Sequence, residues 1–327
     1  MKLPFFGKLT AQKLDIPKKI RVSLYVAAAQ FDSEFDRPSI DNRLLKATTS
    51  HNFDKKLRSH FLQTKTSSLL TFELEPAAAV IKQLETFLQF LQVEPAVEDT
   101  FLQAQYMVEV TAVQEMSEFD SPVTALELVG FAAALLAAET KGIVIEPYSL
   151  KILSQPREFA QLLNLQAGLP PLCPFLTVVQ SHNQFHDQSH DHTQVRTTSH
   201  GLTRIGLPEI EIKFTDVELA PATAIFTAAL AQSIFEDVVL AKAKSPELEQ
   251  YDFSTIGDNG QLTVNRGHVE RAHGGEIQNI GSGGGSARVP LKLSRGALDL
   301  NINLALHGRH TDKNAALAEI LKDLNLL

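Results

Sequence analysis

Two segments of this chain nearly repeat each other. VAAAQFDSEFDRP, from Val26 to Pro38, returns 84 residues later as VTAVQEMSEFDSP, from Val110 to Pro122, with eight of thirteen positions identical. Each reads as the end of a strand, a short acidic loop, and a Pro in the first turn of a helix, where its missing N–H leaves nothing unpaired. A shorter echo follows each helix: FELEP (Phe72 to Pro76) and IVIEP (Ile143 to Pro147). Such a chain is expected to use one β-loop-α-β unit twice. Arg21 to Gln30 is apolar on both faces toward its end, so it is expected to be a central strand.

The remaining pattern alternates strands and helices, without a glycine fingerprint for a dinucleotide. The expected class is therefore α+β, a mixed or antiparallel sheet with helices packed on one face, containing the duplicated unit. Three stretches are expected along the chain: an arm at 1–20, a duplicated core at 21–240 carrying a His-rich insertion at 181–199, and an α+β segment at 241–327 with a glycine-rich loop. In that last segment Leu262 to Val269 and Val289 to Leu293 are expected to pair, and Asn314 to Leu327 is expected to be helical. Ala220 to Leu240 reads as a long apolar helix. Lys141 and Gly142 end the helix before IVIEP, a cation near its C-terminus followed by a residue that tolerates positive φ.

With 327 residues the chain can bury a large core. Its net charge of −8, with no Trp and only 4 Tyr, opposes binding to a phosphate backbone or stacking on bases. The single Cys, Cys173, leaves no disulfide within the chain and no cysteine metal cluster, which fits a reducing compartment. It is expected to be a small buried hydrophobe. MKLPFFGKLT lacks the apolar core of a secretion signal, and Val123 to Ala138 is too short and too interrupted to span a bilayer. The expected location is the cytoplasm.

The strongest chemical signal is the run of His182, His186, His190 and His192, with Asp187 and Asp191 among them. Neutral imidazoles suit zinc or nickel, and i, i+4 spacing sets two of them on one helical face. The tract has few apolar residues to hold such a geometry, so a solvated loop is the expectation. The duplicated acidic loops supply Glu34, Asp36, Glu118 and Asp120, which pseudo-twofold packing would bring together around a hard cation or an acid–base pair. The simpler reading sets Asp36 and Asp120 at helix N-termini, where negative charge is favourable. GSGGGSA with Arg288, the group His268, Arg271 and His273, and the group His307, Arg309 and His310 each have the chemistry to hold a phosphate or carboxylate, but a flexible loop for the first and solvated polar turns for the others are the expectation.

Taken together, the QYMVEVTAV strand, the TALELVGFAAALLAAETKGIVIEP helix and strand, the PREFAQLL helix and SHGLTRIGLPEIEI resemble, in their order, a family of bacterial proteins. It is the domain of unknown function numbered four-two-six-one. The resemblance covers about residues 21 to 240 and rests on apolar pattern and on Gly206-Leu207-Pro208-Glu209. It implies no established activity and supplies no catalytic residues. The expected function is a binding or interaction module with a protein partner or small ligand and no recognisable catalytic site. The alternative is a metal-dependent, hydrolase-like enzyme using the His tract or the acidic loops with a divalent ion.

Overall fold

A computed structural model describes residues 13–16, 19–28, 70–78, 80–82, 95–115, 124–146, 151–153, 172–187, 190–245, 247–252, 261–273, 285–290, 292–294, 297–299 and 312–327. The class is α+β, as the alternating pattern implies. The strands are β1 (Lys13–Asp15), β2 (Lys19–Ala28), β3 (Leu70–Pro76), β4 (Tyr106–Glu115), β5 (Ile143–Glu146), β6 (Lys151–Leu153), β7 (Thr177–Asp187), β8 (His190–His200), β9 (Ile210–Asp216), β10 (Gln250–Asp252), β11 (Gln261–Asn265), β12 (Ser286–Pro290), β13 (Lys292–Ser294) and β14 (Ala297–Asp299). The helices are α1 (Pro95–Leu102), α2 (Thr124–Thr140), α3 (Ala220–Lys244), α4 (Arg266–Ala272) and α5 (Lys313–Asp323).

The first sheet is antiparallel throughout, in the order β3-β4-β2-β5-β6, so β2 is central as its two apolar faces require. Val22, Leu24 and Val26 pair with Ala112, Val110 and Val108 and line one face. Against it pack α2, through Val129, Ala132, Ala133 and Leu136, and the 3₁₀ turn Leu202–Ile205. The sequence expectation set helices on one face. The opposite face also carries an apolar cluster: Ala27, Met107, Ile143 and Ile145 meet Ala77, Val80, and Phe101 of α1. Farther along that face the residues turn polar, with Ser23 and Thr111 hydroxyls 2.7 Å apart.

Each expected unit's closing strand lies beside the other unit's opening strand, β3 on β4 and β5 on β2. The register departs from a strict repeat by one residue. Phe72 pairs with Val110 and Val144 pairs with Val26, so Phe72 corresponds to Val144, whereas the FELEP and IVIEP echo aligns Phe72 with Ile143. One step exchanges the faces of a strand. The helix expected to open at Pro38 lies outside the described residues.

The second sheet is mixed, in the order β13-β14-β9-β8-β7, with β14 parallel to β9. Helix α3 crosses its inner face. This helix is long and apolar enough to cross a membrane, but Phe226, Leu230, Ile234 and Phe235 are buried inside the protein. β1 pairs with β10, and β11 pairs with β12 with Leu262 opposite Val289. The expected pairing of 262–269 with 289–293 is thus shorter, because Asn265 caps a helix: its side chain accepts the His268 N–H and the His268 ring accepts the Asn265 N–H. The QYMVEVTAV strand, β4, starts at Tyr106, after α1 has ended at Leu102. Leu262, Val264, Val289, Leu317, Ile320 and Leu321 join the same apolar cluster as β2 and α3, so the last segment shares the main core.

Candidate functional site

The His tract is not a loop. It forms most of a hairpin of two eleven-residue strands, β7 and β8, paired from Thr177 opposite His200 to Asp187 opposite His190. The physical cause lies in Thr193-x-Val195-x-Thr197-x-Ser199. These are small or β-branched residues at period two, and Val195, Thr197 and Ser199 are buried. That buried face fixes the register of β8 and hence of β7. Gln180 anchors β7 from the same face, donating to the Ala220 carbonyl at 2.6 Å and to the Thr197 hydroxyl at 3.1 Å.

The i, i+4 arrangement that a helix would give the histidines is therefore replaced by strand alternation. Register sets His182 and His186 on one face, with Asp191 opposite His186. It sets His190 and His192 on the other, with Asp187 opposite His190 and Phe185 opposite His192. His182 is exposed. The side chains of 183–187 and 190–192 are not described. Among the described residues no group of three or more His, Cys, Asp or Glu side chains is placed to hold a metal ion. Glu34, Asp36, Glu118 and Asp120 lie outside the described residues, as do His307, Arg309 and His310.

Beside the hairpin, β9 carries a bulge between its pairings with Val195 and Thr197. Phe214 takes φ 59° there, a left-handed conformation that costs a side chain with a Cβ about 1–2 kcal/mol. The bulge returns Thr215 to the buried face and leaves Phe214 and Val217 exposed. On the outer face Glu211 bonds with Arg196 and with Lys213, the latter at 2.8 Å.

His268 and Arg271, expected in a solvated turn with the chemistry to hold an anion, meet a carboxylate, and that carboxylate is the chain's own Glu236. Arg271 donates to both Glu236 oxygens at 2.6 and 2.9 Å, Gln232 donates at 2.8 Å, and His268 Nε2 lies 3.5 Å away. Because the Asn265 N–H occupies His268 Nδ1, Nε2 carries the ring proton toward Glu236. Burial raises the Glu236 carboxyl, but the bonds from His268, Arg271 and Gln232 and the Arg271 charge outweigh it and hold the group below its ordinary value. With its acceptors filled by internal donors, this cluster ties α3 to α4 and presents no open anion site. GSGGGSA lies mostly outside the described residues; Gly285 to Ala287 lead into β12.

Two further polar centres escape sequence reading. Arg204, under Leu202–Ile205, forms a buried ion pair with Glu146 at the end of β5 and stacks 5.5 Å from the centre of the Phe175 ring. Glu209 accepts from Gly201 N–H at 2.9 Å, Thr203 N–H at 3.1 Å and the Ser199 hydroxyl at 2.7 Å, locking the turn that carries Arg204. Gly206 ends that turn at φ 76°, where a Cβ is disfavoured. The SHGLTRIGLPE segment is thus a structural clasp between the two sheets. Tyr251 donates to Asp237 across β10 and α3; burial and that carboxylate push its phenol up. Cys173 is half-buried rather than buried, and its carbonyl accepts from Lys151.

No family model matches this chain, and no curated protein or solved structure is detectably similar to it.

Proposed function

We propose that this protein is a binding module that takes up an extended segment of a partner protein along the β7 edge of its second sheet. The observation that carries the reading is the contrast among the sheet edges. An edge strand presents unpaired N–H and C=O groups, and proteins that stay monomeric blunt such edges with shortness, charge or Pro. β6 and β13 have three residues each, and β3 carries exposed Glu73 and Glu75 and ends at Pro76. β7 has eleven residues, pairs only with β8 among the described strands, and contains no Lys, Arg, Pro or Gly. Strand addition to such an edge takes its affinity from main-chain bonds and its choice of partner from alternate side chains. The outward row offers half-exposed Val179 flanked by Ser181, which favours a segment with one apolar residue among polar ones. The resemblance to the four-two-six-one family adds no activity to this reading.

The test is selection of twelve-residue peptides from a display library, followed by titration of the best binders. The double variant V179K/S181K charges the edge without removing a bond to β8. It is expected to weaken binding by about tenfold or more while the melting temperature stays unchanged. Equal affinity in the variant, or a concentration-dependent dimer lost on the same substitutions, contradicts uptake of a separate partner.

A further inference from the structure

We infer that the segment taken up at the β7 edge carries a carboxylate and that Arg196 reads it; this rests on strand addition at that edge and names the partner's chemistry more closely. Arg196 is the one Lys, Arg, Asp or Glu in 177–183 and 193–200, two facing stretches of the hairpin. It stands on β8 opposite Ser181, in the outer row, since Val195 and Thr197 on either side of it are buried. Its side chain is 51% exposed. Nε meets Glu211, and the two terminal nitrogens have no partner among the described residues. A guanidinium carries five N–H donors in a planar fork, so this pairing leaves donors to spare. Glu211 is buried and also holds Lys213, so its charge is balanced without Arg196. Asp216, the other acid on β9, lies in another row, opposite Gln194.

Ser181 is what opens Arg196 to the edge. An added strand lies one strand spacing outside β7 and two from β8, about 9.6 Å from the Arg196 backbone. A carboxylate opposite Ser181 approaches the guanidinium over a side chain of one methylene and a hydroxyl. Glu, one methylene longer than Asp, suits that gap better. In the same outer row, exposed Val179 offers the apolar contact, opposite Thr198 on β8. An antiparallel added strand repeats the pairing of β7 with β8, and antiparallel pairs are slightly the more stable. Running against β7, such a strand meets Ser181 before Val179, so its signature is Glu-x-apolar in that order. The chain's net charge of −8 does not oppose this, because at physiological salt screening acts over about 8 Å and the nearest charge dominates.

The experiment selects peptides from one display library on the full-length wild type and on R196Q/E211Q, which removes the guanidinium together with the buried carboxylate it meets. The wild-type pool is expected to be enriched in Glu two residues before an apolar residue, and the variant pool to keep the apolar residue and lose the Glu. A selected peptide is then titrated beside the same peptide with Gln in place of Glu. The Glu form is expected to bind wild type about three- to fivefold tighter, a gain that vanishes in R196Q/E211Q and at about 1 M salt. R196K, which keeps the charge, is expected to keep part of the gain, and melting temperatures establish that each variant is folded. Peptides that lose affinity in V179K/S181K but show no preference for Glu overturn this inference and leave strand addition standing. A preference for Glu that survives in R196Q/E211Q overturns it as well, by assigning the carboxylate to another cation. Failure of every peptide to bind, or binding indifferent to V179K/S181K, overturns both.

Discussion

At Lys141 and Gly142 the sequence signals the end of α2, and the helix does end there. The roles are exchanged, however. Lys141 takes the left-handed conformation, at φ 52°. Gly142 is small for a different reason: a Cβ there would lie 2.2 Å from the Ala27 carbonyl oxygen, because β5 starts flush against β2. A close approach between strands distant in sequence is invisible to local pattern. The same holds for Glu146 and Arg204, each unremarkable in its own segment and meeting only in the core. Their exposure of 0% and 1% makes the pair costly to break. Glu146→Ala leaves a buried guanidinium without its carboxylate and is expected to cost about 3–5 kcal/mol, read as a lower urea midpoint. Glu146→Met with Arg204→Met is expected to recover most of that loss. A single variant as stable as wild type would show that the pair carries no structural weight.

Among the elements, those with strong period were legible: α3, α5 and the central β2 stand where the apolar spacing puts them. The His tract was misread because its polar composition hides a buried row at Val195, Thr197 and Ser199 that only the partner helix α3 makes useful. The cation group before the glycine loop was read for its chemistry but not for its ligand. Glu236 sits within an apolar helix thirty-five residues away from Arg271, and the polar positions Gln232 and Glu236, one turn apart in that helix, are the signal that could have found it. This α3–α4 bridge has a pH signature. The folded-state value of Glu236 lies below its ordinary 4.5, so its contribution is complete above that pH and lost as pH falls through the folded value. Glu236→Gln removes the titration. In urea unfolding from pH 7 down to pH 3, its stability deficit relative to wild type is expected to hold steady above about 4.5 and to shrink below it. A deficit independent of pH would exclude the carboxylate as the source.

For the molecule as a whole, one apolar cluster runs from the first sheet through α2 and α3 to β11, β12 and α5. The segments that sequence composition separates at 240 therefore share a core. The class was legible because α+β follows from alternation of elements; the order of strands was not, since it depends on pairings such as β3 on β4 and β14 on β9 that no local signal encodes. The near-repeat of SEFD loops announces two related strands, and they pair side by side as β2 and β4, yet the one-residue offset of β3 against β5 shows that tertiary packing, not the echo, sets the outer registers. The proposed function rests on the hairpin of β7 and β8 being an ordered, one-sided edge. Residue-resolved amide hydrogen exchange of the whole chain tests this most directly. The account predicts protection along 194–198, which is paired on both sides, and protection at alternate residues only along 177–187. Uniformly fast exchange from 181 to 199, as in a solvated loop, would contradict it.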